Sequence, residues 1–148
     1  MDALVIGAGP AGLMAAEELA RAGHKVVVCD AKPSPARKFL MAGKSGLNLT
    51  KDEDRSSFIA AYRNEWLRPM LAEFGPREMI IWARALGQEV FTGSTGRVFP
   101  RSMKASPLLR AWLLRLQGAG VELRSRWRWA GFDGDALAFE TPEGRQAL

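Results

Sequence analysis

The chain has 148 residues, of which 47% are hydrophobic and 25% charged, with a formal net charge of +5 and a pI near 9.9. This length suits about one ordinary domain. No apolar run approaches the roughly 20 residues of a membrane span, and glycines and Asp2 interrupt the start where a secretory signal would need an apolar run. The cations are scattered without a run of five, which argues against nucleic-acid binding. Because the sequence shows neither a membrane span nor a secretory signal, we expect a cytoplasmic protein with no membrane partner.

The first thirty residues predict a βαβ unit. Ala3-Leu4-Val5-Ile6 is predicted to be a buried strand, Leu13 to Ala22 a helix, and Lys25 to Cys29 a second strand that Asp30 closes. The first strand and the helix are joined by Gly7-Ala8-Gly9-Pro10-Ala11-Gly12. A strand, a glycine turn, a helix and a second strand ending in an acid are typical of a dinucleotide-binding domain. The alternative is an α/β turn that binds nothing.

Each glycine of this turn has a predicted role. Gly7 allows the tight turn, Gly9 leaves room for a diphosphate against the backbone, and Gly12 lets the helix lie close to the sheet. The free N–H groups around Ala11 to Leu13, with the positive end of the helix dipole, would attract the diphosphate. Asp30 would accept hydrogen bonds from the hydroxyls of an adenosine ribose and repel a 2′-phosphate, which disfavours NADP at this site.

Two residue types that often carry chemistry occur once each. Cys29 lies among valines and is predicted to be a small core residue, and without a second cysteine the chain cannot use a redox disulfide. His24 lies in a tight connection, so neither a metal site nor a Ser-His-Asp triad has support.

The stretch after Asp30 carries the next candidate residues. Residues 31–36 contain two prolines and are predicted to be a loop. Residues 37–50 bring three cations, two glycines, Asn48 and Thr50, and an extended backbone here could run alongside a cofactor's diphosphate. The alternative is a surface loop with solvated cations.

Residues 51–90 are predicted to be helical, after a charged entry at 51–54 that is a solvated loop rather than a metal site. One helix begins near Trp66 with Pro69 in its first turn, and another follows Gly75-Pro76 and ends at Gly87. An apolar stripe at helical spacing is predicted to pack in the core, with a cofactor-binding surface as the alternative. Its members are Phe58, Ala61, Tyr62, Leu67, Met70, Leu71 and Phe74. Glu89 to Thr92 and Arg97 to Phe99 are predicted to form a hairpin.

The last third of the chain returns to the sheet. Ser106 is predicted to cap a helix with an apolar stripe, with Arg110 and Arg115 facing away. Residues 121–124 then add a parallel strand beside Lys25–Cys29. Residues 123–129 alternate, with Trp127 and Trp129 on a buried face and arginines on a wet one; the alternative is that tryptophan and arginine stack on nucleic-acid bases. Asp133-Gly134 predicts a hairpin, with residues 136–141 as its second strand.

Three separated blocks resemble a bacterial flavoprotein family, the NAD(P)/FAD-dependent oxidoreductases that include aminoacetone-oxidase-like and bile-acid dehydro-reductase-like members. The blocks are ARKFLMAGKSGLNLT at 36–50, FTGSTGRVFP at 91–100 and KASPLLRAWL at 104–113. Many relatives carry Arg-Cys-Asn where this chain has Gly46-Leu47-Asn48, so any role of that arginine or cysteine is absent here. Because relatives are more than twice as long, we expect this chain to be an N-terminal portion that by itself retains FAD weakly or not at all.

The resemblance implies FAD, rather than free NAD, at the βαβ site. It implies that Arg37, Lys38, Gly43, Lys44, Asn48 and Thr50 lie along the FAD, and it makes Arg97 a candidate anion contact on the substrate side. Lys44 is the candidate cation near the flavin edge, with a solvated loop lysine as the alternative. The complete predicted cofactor site is Gly7, Gly9, Pro10, Ala11, Gly12, Asp30, Ala31, Lys32, Arg37, Lys38, Gly43, Lys44, Asn48 and Thr50.

We therefore predict an α/β, Rossmann-like FAD-binding domain of the glutathione-reductase type. Its parts are a βαβ unit with a cofactor loop at 1–50, a mainly helical excursion at 51–105, and a helix, returning strand and antiparallel meander at 106–148. The predicted function is an FAD-dependent oxidoreductase that transfers a hydride between a small-molecule substrate and flavin, with NAD(P)H or oxygen completing the cycle. The alternatives are a non-catalytic dinucleotide-binding module, an NAD-dependent dehydrogenase and a basic nucleic-acid-binding domain.

Overall fold

A computed structural model of the protein describes residues 1–42 and 46–148. They form two compact units, Met1–Phe39 with Leu113–Leu148, and Leu40–Trp112. The helices are α1 (Pro10–Arg21), α2 (Arg37–Ala42), α3 (Arg55–Ala60), α4 (Arg68–Glu73), α5 (Pro76–Ala85) and α6 (Ala105–Gly118), with a 3-10 turn at Glu65–Leu67. The strands are β1 (Ala3–Ile6), β2 (Val26–Asp30), β3 (Thr50–Lys51), β4 (Val90–Thr92), β5 (Arg97–Pro100), β6 (Glu122–Ser125), β7 (Arg128–Asp133), β8 (Ala136–Thr141) and β9 (Gly144–Ala147).

The first unit is built on a parallel sheet of order β1-β2-β6. Its central strand is the valine run of β2, and Val26 to Cys29 are all buried because neighbouring elements cover both faces of the strand. Helix α1 packs on β1 and β2 through Leu13 and Ala16, which have no exposed surface. The predicted βαβ unit and the return of the chain beside β2 are confirmed, and the fold is the predicted Rossmann-type α/β architecture. The predicted burial of β1 is wrong, because its residues are only half-buried and Ile6 is 46% exposed.

The meander β7-β8-β9 is antiparallel and packs on this sheet, as predicted. Phe139 is fully buried against Val27 and Cys29. The predicted burial of Trp129 is wrong, since 43% of its surface is exposed. The alternating stretch is not one strand, because Arg126 adopts φ 62° between β6 and β7 and interrupts the pleat.

The second unit combines the antiparallel sheet β3-β5-β4 with helices. Its core includes Trp82 of α5 and Trp112 of α6, whose rings meet edge to face with centroids 4.8 Å apart. The predicted hairpin is present as β4 and β5, and β3 is a short strand that the sequence did not predict. The apolar stripe of α6 is buried as predicted, although the helix begins at Ala105, so that Ser106 lies inside it.

Three further expectations are corrected. Residues 37–42 form α2 instead of extended backbone, because they are good helix formers without glycine or proline. The stripe on α3 and α4 is not core, since neither helix contains a buried residue and Phe74 is 39% exposed. Arg115 does not face away, because its guanidinium donates to the buried Glu17 carboxylate at 2.9 Å.

The start of α3 supports a prediction about pH. Asp54 is the N-cap of this helix, and its carboxylate accepts hydrogen bonds from the Ser56 hydroxyl and from the Ser57 hydroxyl and backbone N–H. These bonds, led by that from Ser56, lower the pKa of Asp54. A lowered pKa means that the carboxylate stabilises the folded form above its unfolded pKa near 3.8, and that this contribution is lost as the pH falls.

We therefore expect the Ser57 amide to lose protection from hydrogen exchange as the pH falls below about 4, earlier than amides of α1, whose first turn has no acidic residue and whose N-cap makes no side-chain hydrogen bond. Asp54→Asn is the matched control, because asparagine is also a good N-cap but does not titrate. Equal acid sensitivity in the two proteins would contradict the assignment.

No described helix is long and apolar enough to cross a membrane.

Candidate functional site

The turn between β1 and α1 depends on two glycines for its shape. Gly7 has φ +103°, a region that favours glycine, and its N–H donates to the Cys29 carbonyl at 2.7 Å. A Cβ on Gly12 would lie 1.9 Å from the Gly7 carbonyl oxygen. The backbone of α1 therefore touches the turn where Gly12 stands, so both glycines are required by the fold itself.

Gly9 differs from these two glycines. It is the N-cap of α1 with φ −79° and ψ 177°, which any residue can adopt. A Cβ built on Gly9 would meet no atom within 4 Å. Protein packing therefore does not require a glycine here, and the open space at the helix N-terminus is where a ligand could approach the backbone.

The first turn of α1 offers N–H donors beside this space. The Leu13 N–H already donates to the Gly9 carbonyl at 2.9 Å, so the expectation that it is free is wrong. Pro10 has no N–H, which leaves Ala11 and Gly12 as the first-turn donors without an acceptor inside the helix. No acidic side chain occupies this turn, so its partial positive charge remains available to an anion.

The side chain of Asp30 fixes the turn between β1 and α1 through hydrogen bonds to the backbone. Its Oδ2 accepts the Ala8 N–H at 2.7 Å, and its Oδ1 accepts the Lys32 N–H at 2.7 Å. The Ala8 carbonyl in turn accepts the Ala36 N–H at 2.8 Å. A carboxylate has about four acceptor positions, so two remain for the hydroxyls of a ribose. The sequence predicted the ribose role, but not the part that Asp30 plays in fixing the turn.

The hydrogen bonds of Asp30 lead to a prediction about stability. Asp30→Asn replaces one carboxylate oxygen by an NH2 group that cannot accept, so one backbone N–H loses its partner. We expect the free energy of unfolding in urea to fall by about 1–2 kcal/mol. Asp135→Asn is the matched control, because Asp135 is exposed and the same exchange there should cost almost nothing. Equal effects of the two exchanges would contradict the holding role.

The other predicted cofactor residues of the first unit lie on the segment that follows Asp30. Ala31 and Lys32 are exposed, and the Lys32 carbonyl accepts the Arg126 N–H at 3.1 Å. Arg37 and Lys38 lie in the first turn of α2, exposed and without an ion pair to any described residue. They are thus free cations, and their contact with a cofactor stays a prediction.

The remaining predicted residues belong to the second unit or are not described. Thr50 lies in β3 opposite Val98, and Asn48 is exposed just before that strand. Gly43 and Lys44 lie outside the described residues, so the predicted role of Lys44 near the flavin edge stays a prediction.

Few side chains of the described residues offer other chemistry. Cys29 is fully buried, and burial raises the pKa of its thiol, which suits the predicted core role and not a reactive one. Within residues 1–42 and 46–148, no three His, Cys, Asp or Glu side chains gather as metal ligands would.

The chain is similar in sequence to proteins already characterised. The family described as HI0933-like protein Rossmann domain matches residues 1–147. A 3-dehydro-bile acid delta(4,6)-reductase from Clostridium scindens is 30% identical over 122 residues, which are 80% of this chain. The chain spans only 29% of the length of that relative.

Several solved structures are similar in fold, and two of them illustrate the likeness. An open-conformation flavocytochrome c3 fumarate reductase matches 97% of this chain and 31% of its own with a TM-score of 0.73 at 18% identity. A 3-ketosteroid-delta4-(5alpha)-dehydrogenase from Rhodococcus jostii RHA1 matches 99% of this chain and 43% of its own with a TM-score of 0.73 at 16% identity. Each likeness extends over nearly the whole of this chain, and at these identities it concerns the fold.

Proposed function

The chain belongs to the family of HI0933-like protein Rossmann domains, and from that premise we propose that it is the FAD-binding part of an oxidoreductase. In this proposal the adenosine diphosphate half of FAD lies on the turn between β1 and α1. The substrate is a small molecule, and NAD(P)H is the proposed electron donor.

The observation that carries the proposal is the contrast between Gly9 and Gly12. A Cβ on Gly12 would collide with the turn, whereas a Cβ on Gly9 would enter open space at the helix N-terminus. An absent side chain that packing does not need suits a position where a ligand approaches the backbone. The donors of Ala11 and Gly12 then face a diphosphate, and the free acceptor positions of Asp30 suit the ribose hydroxyls.

When bound, FAD supplies the redox chemistry. The residues of this chain would bind and orient it. The N–H groups in the first turn of α1 would bind the negatively charged diphosphate, and Asp30 would fix the turn and accept hydrogen bonds from the ribose hydroxyls. The exposed cations Arg37 and Lys38 add positive potential on the segment after β2. No described side chain is assigned as a proton donor or acceptor to the substrate.

Binding of nucleic acid by the arginine and tryptophan residues of the segment 124–129 is less well supported. Arg124 pairs with Glu122 at 2.7 Å and lies over the Trp127 ring, and Arg128 pairs with Glu140. These pairs compensate two of the charges that a phosphate backbone would need. A non-catalytic FAD-binding module remains the alternative that experiment must separate.

The test has a binding step and a redox step. Titration calorimetry should detect ADP binding to the chain, with FAD retained weakly or not at all, and ADP carrying a 2′-phosphate should bind more weakly than ADP because Asp30 repels it. The longer natural polypeptide that contains this sequence should show flavin absorbance that NADH or NADPH bleaches. Absence of ADP binding would overturn the site, and a yellow protein whose flavin neither nicotinamide bleaches would refute NAD(P)H as the electron donor and favour the binding module.

A further inference from the structure

The second unit contains a cleft of about 400 Å³ beside β3. One side of it is apolar and is formed by Phe58, Tyr62, Leu71, Phe74 and Met79. The other side carries Asn48, Thr50, Lys51 and Arg97. Its size suits a small organic molecule, since ligand pockets typically measure about 300–1,000 Å³.

The apolar side is available to a ligand and is not part of the core. Phe58 and Tyr62 meet edge to face with ring centroids 5.3 Å apart, and Tyr62 remains 40% exposed. Phe74 is exposed to a similar degree. Binding of an apolar molecule would remove this exposed aromatic surface from water, which lowers the free energy of the complex.

The polar side carries positive charge that no described residue compensates. The Lys51 ammonium is held by Glu53 at 2.6 Å, whereas Arg97 forms no ion pair with any described residue. Glu78, which caps Gly75 at the edge of the cleft, pairs with Arg55 at 2.5 Å. Among the described residues that line the cleft, the guanidinium of Arg97 is therefore the charge without a partner, and its planar fork suits a carboxylate.

We infer that this cleft binds the substrate, and that the substrate is an apolar small molecule with a carboxylate that Arg97 anchors. That the bound molecule is the substrate rests on the proposed function, whereas the binding of such a molecule in the cleft does not. Asn48 and Thr50, two of the predicted cofactor residues, line the same cleft.

The experiment uses two fluorescent probes, 1-pyrenebutyrate and 1-pyrenebutanol, which share an apolar body and differ in the carboxylate. Fluorescence anisotropy of the cofactor-free chain should show at least about tenfold tighter binding of pyrenebutyrate, as one charge-assisted hydrogen bond provides. Arg97→Gln should remove that preference, and Arg97→Lys should keep part of it. Arg110→Gln is the matched control, because Arg110 is exposed on α6 outside the cleft.

The apolar side is tested separately with Phe74→Ala, which should weaken both probes by the same factor. Equal binding of the two probes to the unaltered chain would overturn the inference. A carboxylate preference that survives Arg97→Gln, or displacement of pyrenebutyrate by excess FAD, would also overturn it. Because the titration contains no cofactor, Arg97-dependent binding in a chain that fails to bind ADP would refute the proposed function while the cleft stands.

Discussion

Gly12→Ala should destabilise the first unit by about 3 kcal/mol, the upper end of the usual cost of overpacking. The added Cβ would lie 1.9 Å from the Gly7 oxygen, 3.1 Å from the Gly7 carbonyl carbon and 3.2 Å from Val5 Cγ1. Two of these three atoms are backbone, so no side-chain rotation relieves the contact. The turn cannot retreat easily either, because the Gly7 N–H is bonded to Cys29 and Asp30 holds Ala8.

Urea denaturation followed by circular dichroism measures this change, with Gly118→Ala as the matched control. Gly118 also lies in a helix, and a Cβ there would meet nothing within 4 Å. Since alanine is the better helix former, Gly118→Ala should leave the free energy of unfolding unchanged or raise it by up to about 1 kcal/mol. If Gly12→Ala unfolded at the same urea concentration as the unaltered chain, the close packing of α1 on the turn would be refuted.

The parts of the fold that follow from short stretches of sequence were predictable. The valine run of β2, the glycine turn and the helix after it each depend on neighbouring residues, and the structure has them within a few residues of the predicted bounds. The resemblance of residues 36–50, 91–100 and 104–113 to bacterial FAD-dependent oxidoreductases is confirmed by the family match. Local pattern and family likeness therefore led to the same Rossmann-type architecture.

What the sequence could not provide depends on contacts between distant segments. Glu17 and Arg115 form their pair across 98 positions, and neither residue's neighbours indicate the other. The stripe that includes Tyr62 and Phe74 has helical spacing, but spacing cannot tell a core face from the wall of a cleft. The hydrogen bond of Asp30 to Ala8 likewise needs the parallel pairing of β1 and β2, which a single sequence does not fix.

Gly9→Asp should have the opposite profile to Gly12→Ala: a folded chain that no longer binds the nucleotide. The new side chain has room, and aspartate is a favourable N-cap, so the free energy of unfolding should change by less than about 0.5 kcal/mol. Its carboxylate would accept the first-turn N–H groups of α1 and occupy the place proposed for the diphosphate. Losing about two charge-assisted hydrogen bonds corresponds to at least about a 100-fold loss of affinity.

Calorimetric titration of ADP measures that loss, and Gly9→Asn separates its two causes. Asparagine fills the same space and also caps the helix, but it carries no charge, so it should weaken ADP binding through occupancy alone. Binding that survived both exchanges would place the nucleotide elsewhere, because nothing else in the turn changes. Gly9 and Gly12 lie three residues apart, at the N-cap and in the first turn of α1. The fold requires Gly12 and the proposed ligand requires Gly9, and only a paired measurement of folding and binding distinguishes the two roles.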